Sequence, residues 1–256
     1  MESKEGIRDL PLVGKFSIEP NIGTSFSVGG DFVSSASETV SGSIVVGSST
    51  LAGGIAFTTE QRDFGDVYEA PIKIGLNLNY ALSKTSEIFG GVSYTRARGR
   101  EFNAVDISIA GTIDRIAVDA GTSVTGIFDD FKEMALSGGY RHYFSISKKI
   151  KPYFSFAGSL KKSNDIKIDL THKPTSISVN DVKFFGSSIS YALGLNVGFR
   201  FDVSSTTTIG FETGLNFNSK LDSDDSDIAG GGSFSDTNNN GKNMEIPVMF
   251  RVNVAF

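Results

Sequence analysis

The chain has 256 residues, no cysteine, 29 glycines, 21 phenylalanines and a formal net charge of −5. Without cysteine no disulfide framework or thiolate metal site can form, and the acidic balance argues against a nucleic-acid partner. A mean hydropathy of −0.04 and the lack of any run of about 18 apolar residues exclude a helical membrane protein. A membrane barrel stays open, because alternating strands average to neutral hydropathy.

The first predicted strand sets Phe16, Ile18, Pro20, Ile22, Thr24, Phe26 and Val28 against Ser17, Glu19, Asn21, Gly23, Ser25 and Ser27. Residues 39–59 alternate weakly and carry no charge. Tyr68 to Leu82 form the next clear strand, with Ile72, Ile74, Leu76, Leu78 and Tyr80 opposite Lys73, Gly75, Asn77 and Asn79. Pro20 and Pro71 are expected at a bulge or a strand margin. Residues 103–125 read as a hairpin with Asp106 and Asp119 on its polar side. Ile189 to Phe201 alternate against Ser190, Ala192, Gly194, Asn196, Gly198 and Arg200, and Ile209 to Phe217 against Gly210, Glu212, Gly214 and Asn216. The last strand, Asn243 to Phe256, has one wholly apolar face (Met244, Ile246, Val248, Phe250, Val252, Val254, Phe256) and is long enough to cross a hydrocarbon core when tilted.

Three segments repeat, starting at Phe64, Phe128 and Phe185. Each later reaches an aromatic (Tyr80, Phe144, Phe201), an aliphatic two residues on (Leu82, Ile146, Val203) and then a serine (Ser83, Ser147, Ser204). Each reads as a strand, a short turn and a returning strand. Three hairpins plus the first and last strands give eight. The connections at the other end are long, roughly residues 30–66, 99–132, 162–185 and 221–242. Segments 39–59 and 103–125 either cross the membrane, giving ten or twelve strands, or extend loop hairpins above it. Eight is favoured, since neither segment has the aromatic–aliphatic–serine turn. The expected fold is an all-β, antiparallel, up-and-down transmembrane β-barrel with short periplasmic turns and long extracellular loops.

Face content sets the polarity. The polar face is mostly Gly, Ser, Asn and Ala, too small and too poor in Lys and Glu for a water-facing surface, whereas the other face is bulky. An eight-stranded barrel leaves room for little beyond its inward side chains, so the small, polar face belongs inside. Aromatic girdles are expected from Tyr80, Phe144, Phe154, Phe199, Phe201 and Phe256 near the short turns, and from Phe26, Tyr68, Tyr94 and Phe217 near the long loops.

The phrases FGDVYEAP, YTRARG, FDDF and GGYRHYF, with the aromatic-ended last strand, resemble small outer-membrane β-barrel proteins of Gram-negative bacteria, of the outer membrane protein A/X type and its alphaproteobacterial porin-like members. The resemblance covers Phe16 to Phe256. It implies the bacterial outer membrane, insertion by the barrel assembly machinery through Phe250, Val252, Val254 and Phe256, and lipopolysaccharide as lipid neighbour. No apolar stretch follows Met1, so the chain reads as a mature form in which Met1 replaces a removed leader, with residues 1–13 a periplasmic segment and residues 14–256 the barrel. No peptidoglycan-binding domain follows Phe256, so cell-wall anchoring is not expected.

Six charges fall on the inward face: Glu19, Lys73, Arg141, Glu212, Glu245 and Arg251. Charges in a narrow lumen must pair, and closure makes the first and last strands neighbours, so Glu19 is expected to meet Arg251. The balance of three acids and three bases favours a plugged lumen over a selective pore. Arg96, Arg98, Arg100, Lys161, Lys162, Lys167 and Lys183 lie near the long-loop ends, where phosphates of a surface glycolipid are possible ligands. Asp236, Asn238, Asn240 and Gly241 open like a calcium loop, with Asp222, Asp224, Asp225 and Asp227 nearby, but position 12 is Pro247 instead of a bidentate Glu. The two histidines, His142 on an apolar face and His172 in a loop, fit no catalytic or metal-ligand spacing, and aspartates at the rim carry no protease-like motif. No cofactor and no enzyme activity are expected. The expected role is structural or surface-interacting through the long loops, with a partner the sequence does not name; the alternative is a small porin-like channel.

Overall fold

The computed structural model describes residues 13–46, 49–113, 116–144, 150–224, 237–238 and 240–256. Eight strands close into one antiparallel barrel: β1 (Phe16–Asp31), β4 (Ile72–Ser83), β5 (Ser86–Ala97), β8 (Phe131–Tyr143), β9 (Ile150–Ser163), β12 (Ile189–Asp202), β13 (Thr207–Asn218) and β14 (Lys242–Ala255). Their lengths run from 12 to 16 residues, enough for a tilted crossing that needs about 9–11. The seam joins β1 to β14, from Ser17 opposite Ala255 to Asp31 opposite Lys242.

Alternation decides which way the barrel turns its residues. Leu193, Leu195 and Val197 on β12 are half or more exposed on the outside, whereas Ala192 and Asn196 are buried in the lumen between them. Expected outer aromatics pack across neighbouring strands at the short-turn end, Phe144 lying 5.9 Å from Phe154 and Phe199 lying 5.6 Å from Phe211. The repeated serine has a local job there. Ser83 Oγ accepts from the Thr85 N–H at 3.2 Å, and Ser204 Oγ accepts from the Thr207 N–H at 3.0 Å, closing the tight turns. Ile146 and Ser147 of the third repeat lie outside the described residues.

The six remaining strands form a second sheet. They are β2 (Ala36–Val46), β3 (Ser49–Thr59), β6 (Glu101–Ile113), β7 (Ile116–Phe128), β10 (Ile166–His172) and β11 (Ile177–Phe185), in the order β11-β10-β7-β6-β3-β2. Segments 39–59 and 103–125 therefore do not cross the membrane. Segment 162–185, expected as a plain connection, is a hairpin too. Each hairpin leaves the barrel mouth through a link of two to four residues, and three long loops merge into one sheet.

The base of that sheet packs on an aromatic cluster over the barrel mouth: Phe32, Phe64, Tyr68, Phe102, Phe128, Phe131, Phe184 and Phe185. Tyr68 corrects the sequence reading, which placed it on a membrane strand and in the outer girdle. Asp63 caps a short helix α1 (Phe64–Val67), its side chain accepting from the Asp66 N–H at 3.1 Å while Asp66 accepts from the Asp63 N–H at 3.0 Å. This reciprocal capping box, with Pro71 after it, delays the strand to Ile72 and turns Tyr68 into the cluster. Pro20 also departs from expectation, since it sits inside β1. Its pairing with β4 runs unbroken through Leu76, while pairing with β14 skips Glu19 and Pro20, as a residue without an N–H requires. The bulge of β1 lies at Ser27–Gly29 instead.

Candidate functional site

Three glutamates and three arginines from six different strands meet in the lower lumen. Glu19 on β1 accepts from Arg251 Nη1 at 2.9 Å, from Arg141 Nη2 at 3.2 Å, from Asn77 Nδ2 at 3.2 Å, and from Arg200. Glu87 on β5 accepts from Arg200 Nη1 at 3.0 Å and Nη2 at 2.9 Å, and from Arg141. Glu212 on β13 accepts from Arg251 Nη2 at 2.5 Å and from the Tyr153 hydroxyl at 3.0 Å, with Arg141 3.7 Å away. All six are buried. The charges cancel, and each carboxylate is held by at least two guanidinium groups, the arrangement that offsets desolvation in a low-dielectric interior.

Aromatic rings wall the cluster. The Arg141 guanidinium lies 4.7 Å from the Tyr153 ring centre and 5.1 Å from that of Phe89, and Arg200 lies 5.3 Å from Tyr143. Glycines make space for these rings. A Cβ on Gly198 would stand 2.6 Å from the Tyr153 hydroxyl, and one on Gly139 would strike Phe89.

Above this lock the lumen holds a cavity of about 80 Å³ lined by Asn21, Asn77, Ser93, Ser137 and Asn216. That volume suits a few water molecules. A second charged layer follows. Lys161 pairs with Glu133 at 3.0 Å, and Glu245 accepts from Ser25 at 2.7 Å and from Asn216 at 3.2 Å. Lys73 borders both this cavity and a smaller one of about 50 Å³, and no carboxylate lies within ion-pair distance of it among the described residues. Phe32, Phe64, Phe131 and Leu221 roof the smaller cavity. Ion pairs thus occupy the lumen below, and aromatic side chains pack over its mouth above.

The sequence-predicted residues divide accordingly. Glu19, Arg141, Glu212 and Arg251 come together, while Lys73 and Glu245 belong to the upper layer. Glu87 and Arg200 were missed as members. Their signal was available: Glu87 shares parity with Phe89, Gly91 and Ser93, and Arg200 with Asn196 and Gly198. Lys161 is a correction, because it points inward and is buried against Glu133, out of reach of any outer-leaflet phosphate. Arg96, Arg98, Arg100 and Lys162 are exposed. Arg96 is held by Asp130 at 2.5 Å, and in the sheet Lys167 is held by Asp181 at 3.1 Å. Nearby, burial pushes the Asp129 carboxyl above its usual range, reinforced by Asp169 and Asp181.

The calcium-loop reading finds its amides in use as donors: Asn238 Nδ2 donates to the Phe184 carbonyl at 2.7 Å, and Asn240 Nδ2 to Asp31 at 2.7 Å. Asp225, Asp227 and Asp236 lie outside the described residues. His142 lies on the outer wall, 5.6 Å from the Phe154 ring. His172 bonds Thr122 and Thr175, each at 2.7 Å. Phe250 and Val254 face outward on β14 beside Ile22 and Ile18 of β1, Val252 shares their face by parity, and the Phe256 N–H donates to the Phe16 carbonyl at 3.1 Å.

A closed, even-stranded antiparallel barrel with an apolar exterior, tight turns at one end and long loops at the other is a transmembrane β-barrel of the bacterial outer-membrane class. No family model matches the sequence, and no curated protein matches it. Among solved structures the chain is similar to Neisserial surface protein A, at 12% identity and a TM-score of 0.45, covering 95% of this chain and 97% of that one. It is also similar to the attachment invasion locus protein of Yersinia pestis (14%, 0.37, 96% and 100%), and to the outer membrane protein OprG from Pseudomonas aeruginosa (12%, 0.39, 95% and 96%).

Proposed function

We propose that the protein is a non-conducting outer-membrane barrel whose work is done by the sheet it carries outside the cell. The observation that supports this reading is the double closure of the lumen, ion-paired below and roofed by aromatics above. A rigid, plugged wall is a poor conduit and a good pedestal, and recognition is commonly carried by segments mounted on a rigid scaffold. Reconstitution in planar bilayers tests it: the wild-type barrel is expected to give no steady openings. The porin-like reading draws on the two small lumen cavities and on Lys73 between them. Steady, salt-dependent single-channel steps would establish it and defeat the pedestal.

The outer rim supplies a lipid contact. Arg96 on β5 is directly opposite Lys132 on β8, and Lys162 on β9 is opposite Met134, two residues along from Lys132. All three are exposed, and they lie at the top of the apolar wall of Met134, Leu136 and Leu160. This arc, with Arg98 and Arg100 higher up, suits the phosphates of lipopolysaccharide. Replacing Lys132 and Lys162 by Glu is expected to lower co-purification of phosphorylated glycolipid several-fold while heat-modifiable gel migration persists; unchanged lipid content would refute the contact. The outward edge of β14 ending in Phe256 is the segment we assign to the barrel assembly machinery.

A further inference from the structure

A sheet of six open strands has two edges, and here only one is guarded. Along β11 the pairing with β10 shifts register twice. Asp181 adopts a positive φ of 61°, and Asp181 and Lys183 add charges. Bulges and charges of this kind blunt an edge against pairing with other chains. The opposite edge, β2, has no bulge and a single charge. Its eleven residues pair with β3 from Ala36–Thr59 to Val46–Ser49 with no shift. It contains no proline and no Lys or Arg, and its one charge is Glu38. Strands are typically about 5–6 residues long, so this is a long, regular edge that pairs with no further strand among the described residues.

The side chains on it are also cut short. Directly opposite residues share a face, so Val40 lies beside Ile55 and Ile55 beside Ile109. That apolar row runs outward across the sheet and stops at Val40, which is 55% exposed at the edge. Nearer the barrel, Phe57 and Ile107 of the same face pack against the aromatic cluster.

We propose that β2 pairs antiparallel with β2 of a second copy of this chain, extending both sheets into one. An occupant must continue an apolar row on one face and present small polar residues on the other, with little charge, over the full strand. β2 itself meets each requirement. Self-pairing about Ser41 engages all eleven residues, and because each opposed pair then sums to an even number, the Val40 face of one copy continues the Val40 face of the other. Val40 rests over Gly42 across the seam, and the two Glu38 side chains do not face each other. Antiparallel pairing also reverses one molecule along the strands. Since the sheet strands lead away from the barrel mouth, the two barrels lie at opposite ends of the joined sheet, and the partners sit in two facing membranes. The contact is one between cell surfaces.

The inference rests on the reading of the sheet as the displayed, working part, and the two can fail separately. Bilayer conductance addresses the plug and leaves the edge untouched. For the edge, the full chain lacks cysteine, so single-cysteine variants report cleanly. Ser41→Cys, in nanodiscs holding one barrel each, is expected to give about tenfold more disulfide-linked dimer on mild oxidation than Ser178→Cys on the guarded edge, because only residue 41 is brought within bonding distance of its own copy. Phosphatidylcholine vesicles carrying the wild-type protein are expected to cluster in light scattering, and those carrying Val40→Lys to stay dispersed. Heat-modifiable migration checks that each variant has folded. Equal cross-linking at the two positions, or clustering that survives Val40→Lys, would overturn the proposal. So would cross-linking within single vesicles without clustering, or capture of an unrelated extended peptide by β2 in place of its own copy.

Discussion

Replacing Arg141 by Ala is expected to cost the barrel about 3–5 kcal/mol, the range for removing one partner from a buried ion-paired set. Arg141 bridges Glu19 and Glu87, approaches Glu212, and stacks between Tyr153 and Phe89. Its loss leaves three buried carboxylates facing two guanidinium groups. Urea unfolding in phosphatidylcholine vesicles, followed by gel mobility, reads the change. Arg141→Lys keeps the charge but loses the planar fork that spans two carboxylates, so it should fall between wild type and Ala. The double variant Arg141→Ala with Glu87→Gln removes one charge of each sign and should recover part of the loss. A cost below about 1 kcal/mol for Arg141→Ala, as for a surface pair, would mean that the lock contributes little to holding the wall.

Phe128→Ala should act on the other closure. The Phe128 ring lies 5.8 Å from Phe32, 5.9 Å from Tyr68, 5.4 Å from Phe102 and 5.0 Å from Phe184, so it ties the ends of several loops together over the mouth. Truncating a buried Phe costs about 3–5 kcal/mol through lost burial and the cavity left behind. The loss should be confined to the docking of the sheet, because the barrel has its own hydrogen-bonded wall. Hydrogen exchange is expected to accelerate in β6, β7 and β10 while heat-modifiable migration is retained. Uniform acceleration across the barrel strands would show that lid and wall unfold as one unit, contrary to this division.

The barrel was legible because a period of two, held over a dozen residues, has one physical reading when the polar face is small and the apolar face bulky. The upper sheet was not legible. Its hairpins β2–β3 and β6–β7 show their own alternation, but the pairing of β3 with β6 and of β7 with β10 joins segments from different loops, and nothing local announces it. Tyr68 was misplaced because alternation was extended back through Pro71, where the Asp63–Asp66 capping box was the stronger local signal. In the lumen, parity alone put Glu19, Arg141, Glu212 and Arg251 on the correct wall, and would have added Glu87 and Arg200. It would also have turned Lys161 inward, in step with Tyr153, Ser155 and Ser159. Closure alone matched Glu19 with Arg251, but the remaining partners depend on how far strands are staggered around the barrel, a quantity with no signature in a single strand.

The lock draws one residue from each of β1, β5, β8, β12, β13 and β14, and its Glu19–Arg251 contact joins residues 232 positions apart. No shorter stretch of chain can satisfy it. A half-built barrel missing only β14 would expose Glu19 and Glu212 without Arg251, and one with β1 displaced would leave three arginines sharing two acids. The set of ion pairs is therefore complete only when all six contributing strands are in place. The Glu19–Arg251 contact arrives last, at the moment the first strand finds the last, which makes the end of insertion resemble the closing of a clasp more than the growth of a wall.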